Sequence, residues 1–217
     1  MRLLRALAVL VLGLTVLAAG CGSDSCAGGA GPIVSQTLDL SGFTGFDFQV
    51  GGDVTVVPGN TQQVVVRSQQ NVIDSVNRDV INGIWEIGYT RCVEGINEFS
   101  IEIALPELDS VELSGAGTII AETQASTIDT FLSGAGTVTL SGEATSQQVI
   151  LEGSGTVEAF DLMTEETTVL LTGQGTVNVS ASEQLSVDLS GAGAVAYKGD
   201  PQLDVRITGV GSLIDAN

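Results

Sequence analysis

Residues 112–122 read ELSGAGTIIAE, and the two glycines of this stretch raise the question of which fold it belongs to. Glycines spaced in this way also occur in loops that cradle phosphate. A dinucleotide-binding loop needs a third glycine three residues after the second, followed by a helix that points its N-terminus at the phosphate. Here Ile120 stands three residues after Gly117, inside an alternating pattern typical of a strand. The stretch is therefore predicted to be a corner between strands.

The same pattern occurs six times in the second half of the chain. In each copy a Gly-x-Gly is flanked by alternating apolar residues, and the first glycines are separated by 19, 19, 20, 18 and 18 residues. The paired glycines are Gly115 and Gly117, Gly134 and Gly136, Gly153 and Gly155, Gly173 and Gly175, Gly191 and Gly193, Gly209 and Gly211. Such a period is typical of stacked repeats, since one coil cannot bury its apolar face alone. We predict an all-β fold, a parallel β-solenoid (β-helix) with coils of about 19 residues.

Two columns of apolar residues should form the interior of this solenoid. Two residues before the first glycine stand Leu113, Leu132, Leu151, Leu171, Leu189 and Ile207. Four residues after it stand Ile119, Val138, Val157, Val177, Val195 and Leu213. Because side chains alternate between the two faces of a strand, each column is expected to stack like on like inside the coils.

The preceding part of the folded chain, residues 33–110, is less regular but also has the pattern of β structure. Residues 46–59 read FDFQVGGDVTVVPG and resemble a degenerate coil, with the Gly-Gly at its corner. Residues 79–89 read DVINGIWEIGY, in which Asn82 and Gly83 suit the type I′ turn of a β-hairpin. One domain, residues 33–217, is therefore expected, with irregular coils up to residue 110 and six regular coils from residue 111.

Trp85 and Tyr89 fall on one face of the second arm of this hairpin. Exposed, they would form a platform on which sugars stack, whereas buried they would belong to the core. We favour the core, because one hydrophobic face per strand is the usual arrangement.

The first 20 residues have the pattern of a signal peptide. Two arginines precede an apolar segment, residues 3–17, and small residues follow at 18–20. Residues 17–21, Leu-Ala-Ala-Gly-Cys, resemble the lipobox of bacterial lipoproteins, in which the cysteine carries lipid, including palmitate, after the signal is removed. Cys21 is the predicted lipidation site, and Gly22 favours the outer membrane over the inner one. The alternative is an ordinary secretory signal followed by an unrelated cysteine.

The two remaining cysteines, Cys26 and Cys92, make an even number in an exported protein. A disulfide between them is the natural expectation in an oxidising compartment, and two free thiols are the alternative. Residues 21–32 are small and rich in glycine, so they are predicted to be a flexible tether between the lipid and the domain.

Charge and residue types exclude several classes of function. The chain has 26 acidic and 7 basic residues, which argues against nucleic acid as a partner. It has no histidine, so Ser-His-Asp and Cys-His catalysis and histidine-ligated metals are excluded. The outward position beside the corners varies among Glu112, Phe131, Ile150, Leu170, Asp188 and Arg206, and so offers no column of carboxylates. We expect no enzyme activity, no cofactor and no metal.

Two sequence features together resemble a known bacterial family. They are the run LPELDSVELSGAG at residues 105–117 and the segment GFTGFDFQVGGDVTVVPG at residues 42–59. Both are similar to proteins described as putative auto-transporter adhesin, head GIN domain, and the resemblance covers roughly residues 38–217. It implies a parallel β-solenoid on an exported, often lipid-anchored protein, and no established biochemical activity.

These observations predict a non-enzymatic lipoprotein of the bacterial cell envelope. It would be held to a membrane by its N-terminal lipid and would bind an unknown protein or glycan ligand or serve as an envelope scaffold. The alternative is a carbohydrate-binding module or a polysaccharide-active enzyme on a β-helix. No capping helix follows the last coil, so its uncovered edge also predicts a homo-oligomer formed through the solenoid end.

Overall fold

A computed structural model describes residues 26–217 of the chain, and almost all of this part is β. The elements are β1 (Ala27–Gly28), β2 (Ile33–Leu38), β3 (Gly45–Phe48), β4 (Gly51–Pro58), β5 (Gln63–Gln69), α1 (Gln70–Ile73), β6 (Val80–Ile81), β7 (Ile84–Ile87), β8 (Val93–Glu94), β9 (Ser100–Leu105), β10 (Ser110–Leu113), β11 (Ala116–Leu132), β12 (Thr137–Leu151), β13 (Thr156–Leu171), β14 (Thr176–Ser180), β15 (Gln184–Leu189), β16 (Ala194–Lys198), β17 (Gln202–Ile207) and β18 (Ser212–Asp215).

The strands stack as the coils of a parallel solenoid, which confirms the predicted fold. On one side of the stack, parallel pairing runs from β7 through β3 and β10, continues through the C-terminal halves of β11, β12 and β13, and ends at β15 and β17. On another side it runs from β9 through β4 and the N-terminal halves of the long strands to β14, β16 and β18. Only near the N-terminal end, at β2, β5, β6 and their neighbours, is the pairing antiparallel.

The register between strands reproduces the spacing of the sequence repeat. Thr118 lies beside Thr137, which in turn lies beside Thr156, so these coils are 19 residues apart. The next coil is one residue longer, and a register shift between Thr139 and Ser141 takes up the extra residue. The predicted coil boundaries are therefore those of the structure. In β11 to β13 the third side of the coil is also paired, where looser segments were expected.

The interior contains the two predicted columns. Leu113 and its equivalents as far as Leu189 are fully buried, as are Ile119 and its equivalents as far as Val195. The last member of the first column differs, because Ile207 is exposed at 43%. Stacking therefore buries each coil through its neighbour, and the coil that has a neighbour on one side only remains open.

The glycines of the corners are required by the close approach of successive coils. A Cβ atom on Gly134 would collide with the carbonyl oxygen of Gly115, and one on Gly153 would collide with that of Gly134. The same relation holds up the whole column, and none of these glycines has φ in the left-handed region. The corner therefore needs glycine for lack of space between coils rather than for an unusual backbone conformation.

The N-terminal end of the stack is closed by a cap, which we define as residues 26–110. Within it, β6 and β7 form the predicted hairpin, and its turn residues Asn82 and Gly83 have φ of 53° and 82°, as a type I′ turn requires. β7 pairs in register with β3, so Trp85 lies beside Phe46 and Ile87 beside Phe48. Large side chains of the cap thus begin the same columns that smaller residues continue through the coils.

Candidate functional site

The structure does not offer the aromatic platform considered for Trp85 and Tyr89. Trp85 is 0% exposed, its Nε1 donates a hydrogen bond of 3.0 Å to the carbonyl oxygen of Asn77, and its ring lies 5.6 Å from that of Phe43. The platform interpretation is wrong because the register of β7 on β3 directs Trp85 into the interior. The alternative, that Trp85 belongs to the core, describes the structure.

Tyr89 is half-buried at the edge of the same cluster. Its ring meets that of Phe99 edge to face at a centroid distance of 5.6 Å, and its hydroxyl has no hydrogen-bond partner among residues 26–217. Burial disfavours the charged phenolate and raises the pKa of Tyr89 to about 12. Tyr89 therefore packs against the core and does not present its ring face to a ligand.

A short segment attaches the N-terminus to the cap. Cys26 and Cys92 are joined by a disulfide, with their Cα atoms 4.6 Å apart. β1 pairs in parallel with β8. Beyond it, the Asn71 amide donates to the Gly28 carbonyl at 2.8 Å and accepts from the Ala30 N–H at 3.0 Å. We call residues 26–30 the strap. It lies within the predicted tether at residues 21–32, so that part of the tether is fixed to the domain.

The predicted lipidation site, Cys21, and the predicted signal peptide lie outside the described residues. No helix within residues 26–217 is long and apolar enough to cross a membrane.

The outward position beside the corners forms a ladder of unlike side chains. Glu112 lies beside Phe131, and the ladder continues through Ile150, Leu170 and Asp188 to Arg206. Burial raises the pKa of the Glu112 carboxyl, nearby Asp47 raises it further, and a hydrogen bond from Ser114 partly offsets both effects. One carboxyl with a raised pKa at one end of an otherwise apolar and mixed ladder is not the convergent pair that glycoside chemistry uses.

In the described part of the chain, no three side chains of the types that bind metals come together. Two open grooves run along the outside of the coils. One, of about 570 Å³, has the corner glycines as its floor and polar side chains such as Thr172 and Gln174 along its length. The other, of about 810 Å³, lies on the third side and includes Glu143, Met163 and Glu165. These grooves are extended surfaces, suited to contact with a large partner more than to enclosure of a small molecule.

The largest concentration of exposed apolar side chains is on the last coil, which comprises β17, β18 and the corner between them. Five large apolar residues there are exposed: Leu203, Val205, Ile207, Val210 and Ile214. The sequence columns placed three of these in the interior, and the missing information was that no described coil covers them. The signal in the sequence was their position as the last members of their columns.

Comparison with known proteins identifies the family. Residues 42–201 match the family described as putative auto-transporter adhesin, head GIN domain. A putative adhesin from Bacteroides fragilis NCTC 9343 has a similar solved structure, with a TM-score of 0.69 and 17% sequence identity over 86% of this chain and 98% of that one. A putative lipid binding protein from Parabacteroides distasonis ATCC 8503 gives a TM-score of 0.50 and 16% identity over 87% of this chain and 99% of that one.

No curated protein sequence matches the chain. The similar solved structures agree with the solenoid described above and, at such low identity, concern the fold alone. The family match, in contrast, extends from the cap to the start of the last coil. Because it spans well over half of the sequence, the chain belongs to the family of putative auto-transporter adhesins with a head GIN domain.

Proposed function

We propose that this protein is a non-enzymatic, lipid-anchored protein of the bacterial cell envelope whose solenoid acts as an adhesin-like binding or scaffolding surface. Family membership supports an adhesin-like protein of the surface or envelope. The finer parts of the proposal are the lipid on Cys21, the outer membrane as its location, and a protein or glycan as its partner.

The attachment of the strap carries the proposal. Cys26 follows Cys21 by five residues and is bonded to Cys92 in the cap. Five extended residues span at most about 18 Å. A lipid on Cys21 would therefore hold the capped end of the solenoid close to the membrane. The opposite end, with its exposed apolar residues, would then point away from that membrane, where a partner can reach it.

The outer surface is consistent with binding rather than catalysis. The ladder beside the corners mixes acidic, apolar and basic residues, and the chain has no histidine. A surface that is regular in backbone but varied in side chains suits recognition of an extended partner, as the concave surfaces of other solenoids do.

Metabolic labelling tests the anchor directly. We expect a palmitate analogue to label the full-length chain in a bacterial host, and Cys21→Ser to abolish the label. Cys26→Ser is the matched control, because it removes a nearby cysteine and should leave labelling intact. Separation of the two membranes should place the labelled protein in the outer one. A wild type without label, or a Cys21→Ser variant labelled equally well, would refute the anchor.

A further inference from the structure

The last coil exposes residues that every preceding coil buries. Leu203, Val205 and Ile207 of β17 are 44%, 38% and 43% exposed, whereas the residues beside them in β15 are at most 2% exposed. Single exposed apolar residues are common on protein surfaces, but a contiguous group of this kind marks an interaction site. These three side chains point toward the solenoid axis, so a partner that covers them must lie on the end of the stack.

The backbone of the last coil is also open. Among the described strands, β17 pairs only with β15 and β18 pairs only with β16. An edge strand with free N–H and C=O groups is a template for pairing with a strand from another chain. The end of the stack therefore offers strand hydrogen bonds and an apolar surface together.

The sequence of β17 is complementary to itself in one antiparallel register. If Val205 meets its own copy on a two-fold axis, Leu203 faces Ile207 of the second chain on the inner side. On the outer side, Asp204 faces Arg206, and the symmetry makes this contact twice. Opposite charges directly across an antiparallel pair stabilise it, and a two-fold interface requires a surface that is complementary to itself in this way.

Net charge is the main effect that opposes such a pair. The chain carries a formal charge of −19, so two copies repel each other at long range. At physiological ionic strength this repulsion is screened beyond about 8 Å, so contacts across the interface decide. Arg206 is one of the few basic side chains of the domain, and it is well exposed in its contact of 3.5 Å with Asp188. It can therefore also approach a carboxylate from a second chain.

We propose that two copies of this chain associate end to end, by antiparallel pairing of β17 with its own copy about Val205. The disulfide-bonded strap lies at the opposite, capped end of each solenoid, so the two tethers leave the pair at its far ends. Together with the lipid anchor of the proposed function, on which this second step rests, the pair joins two apposed membranes. The partner of this adhesin-like protein is then a second copy of itself.

Charge reversal at two exposed positions tests the register. Asp204→Arg places arginines against Arg206 in both contacts, and Arg206→Asp places carboxylates against Asp204, so each variant alone should dissociate at least tenfold more readily. A mixture of the two variants restores opposite charges in both contacts and should form heterodimers. Asp129→Arg changes the net charge as Asp204→Arg does, but in the middle of the stack, and should associate like the wild type.

Analytical ultracentrifugation of the full-length protein in detergent measures the association, and circular dichroism checks that each variant is folded. Vesicles that carry one variant should stay dispersed, whereas a mixture of the two vesicle populations should aggregate. A monomeric wild type, or single variants that dimerise as the wild type does, would overturn the end-to-end pair. Dimers in detergent without aggregation of vesicles would overturn the bridging of membranes. Failure of palmitate labelling refutes the anchor and leaves the result in detergent unaffected.

Discussion

The cap and the regular coils solve the same packing problem with different residues. All the fully buried aromatic side chains of the described structure, Phe46, Phe48 and Trp85, lie in the cap, whereas the coils fill the same columns with Leu, Val and Ile. A coil between two others needs only residues that stack on copies of themselves. An end has no such copy, so it needs large side chains, a hairpin and a disulfide to cover the column.

The comparison also explains why the two ends differ. At the capped end Trp85 and Ile87 cover the columns of Phe46 and Phe48. At the other end the same columns finish with Val205 and Ile207, which no described residue covers. Closing a solenoid end is therefore a separate structural task from repeating its coils, and this chain performs it once within residues 26–217.

Removal of Trp85 should have the largest effect, because its ring fills the column at the capped end. We expect Trp85→Ala to lower the free energy of unfolding by about 3–5 kcal/mol through lost burial and the cavity that remains. Urea denaturation followed by circular dichroism measures the change. Ile81→Ala in the same hairpin is the control, since Ile81 is 52% exposed and its loss should cost about 0.5 kcal/mol or less. Equal effects of the two would contradict the packing described for the cap.

The disulfide should stabilise the cap, and the coils contain no equivalent bond. Cys26 and Cys92 are 66 residues apart, and closure of a loop of this length stabilises by about 2–4 kcal/mol. Replacement of both cysteines by serine should lower the unfolding midpoint in urea. A reductant should lower the wild type to the same value and leave the double variant unchanged. If reduction has no effect on the wild type, the two cysteines are not bonded.

In the coils the corresponding weak point is the glycine column. Gly153→Ala puts a methyl group against the carbonyl oxygens of Gly134 and Ser133, so we expect a loss of about 1–3 kcal/mol from strain. Gly42→Ala is the matched control, because no described atom lies within 4 Å of the added Cβ and its φ is not left-handed. Urea midpoints of the two variants should differ in this direction. Equal stability would mean that the corner glycines are not set by contact between coils.

The accuracy of sequence-based interpretation follows the same division. In the coils, residues such as Leu132 and Val138 repeat at a fixed spacing, and the period itself states which positions stack, so register and burial could be predicted. In the cap no period exists, and whether Trp85 faced solvent or core depended on the pairing of β7 with β3, which is a long-range contact. The exposed end could not be predicted from columns, because a column describes neighbours and the last coil lacks one.

Gln147 interrupts the regular part and provides a smaller test. It takes an inner position between Ile128 and Thr167, is 2% exposed, and neither polar atom of its amide has a partner among the described residues. Replacement by leucine removes an unsatisfied buried amide, so we expect Gln147→Leu to raise the free energy of unfolding by about 1 kcal/mol. Gln148→Leu, one residue along and exposed, should change it by less than about 0.5 kcal/mol. A destabilised Gln147→Leu would show that the amide is satisfied in solution.

The smallest effect at neutral pH is expected at Tyr89, which also gives the cap a dependence on pH. Its pKa is raised to about 12 by burial, above the value of about 10 for an exposed tyrosine. In the unfolded chain the hydroxyl therefore loses its proton first, so the contribution of Tyr89 is complete below pH 10 and is lost as the pH rises from 10 to 12. Tyr89→Phe keeps the ring packed on Phe99 and removes the titration. Urea midpoints should match the wild type closely at pH 7 and fall less steeply above pH 10. Parallel decline of the two proteins would place the hydroxyl in water and weaken the description of Tyr89 as part of the cap.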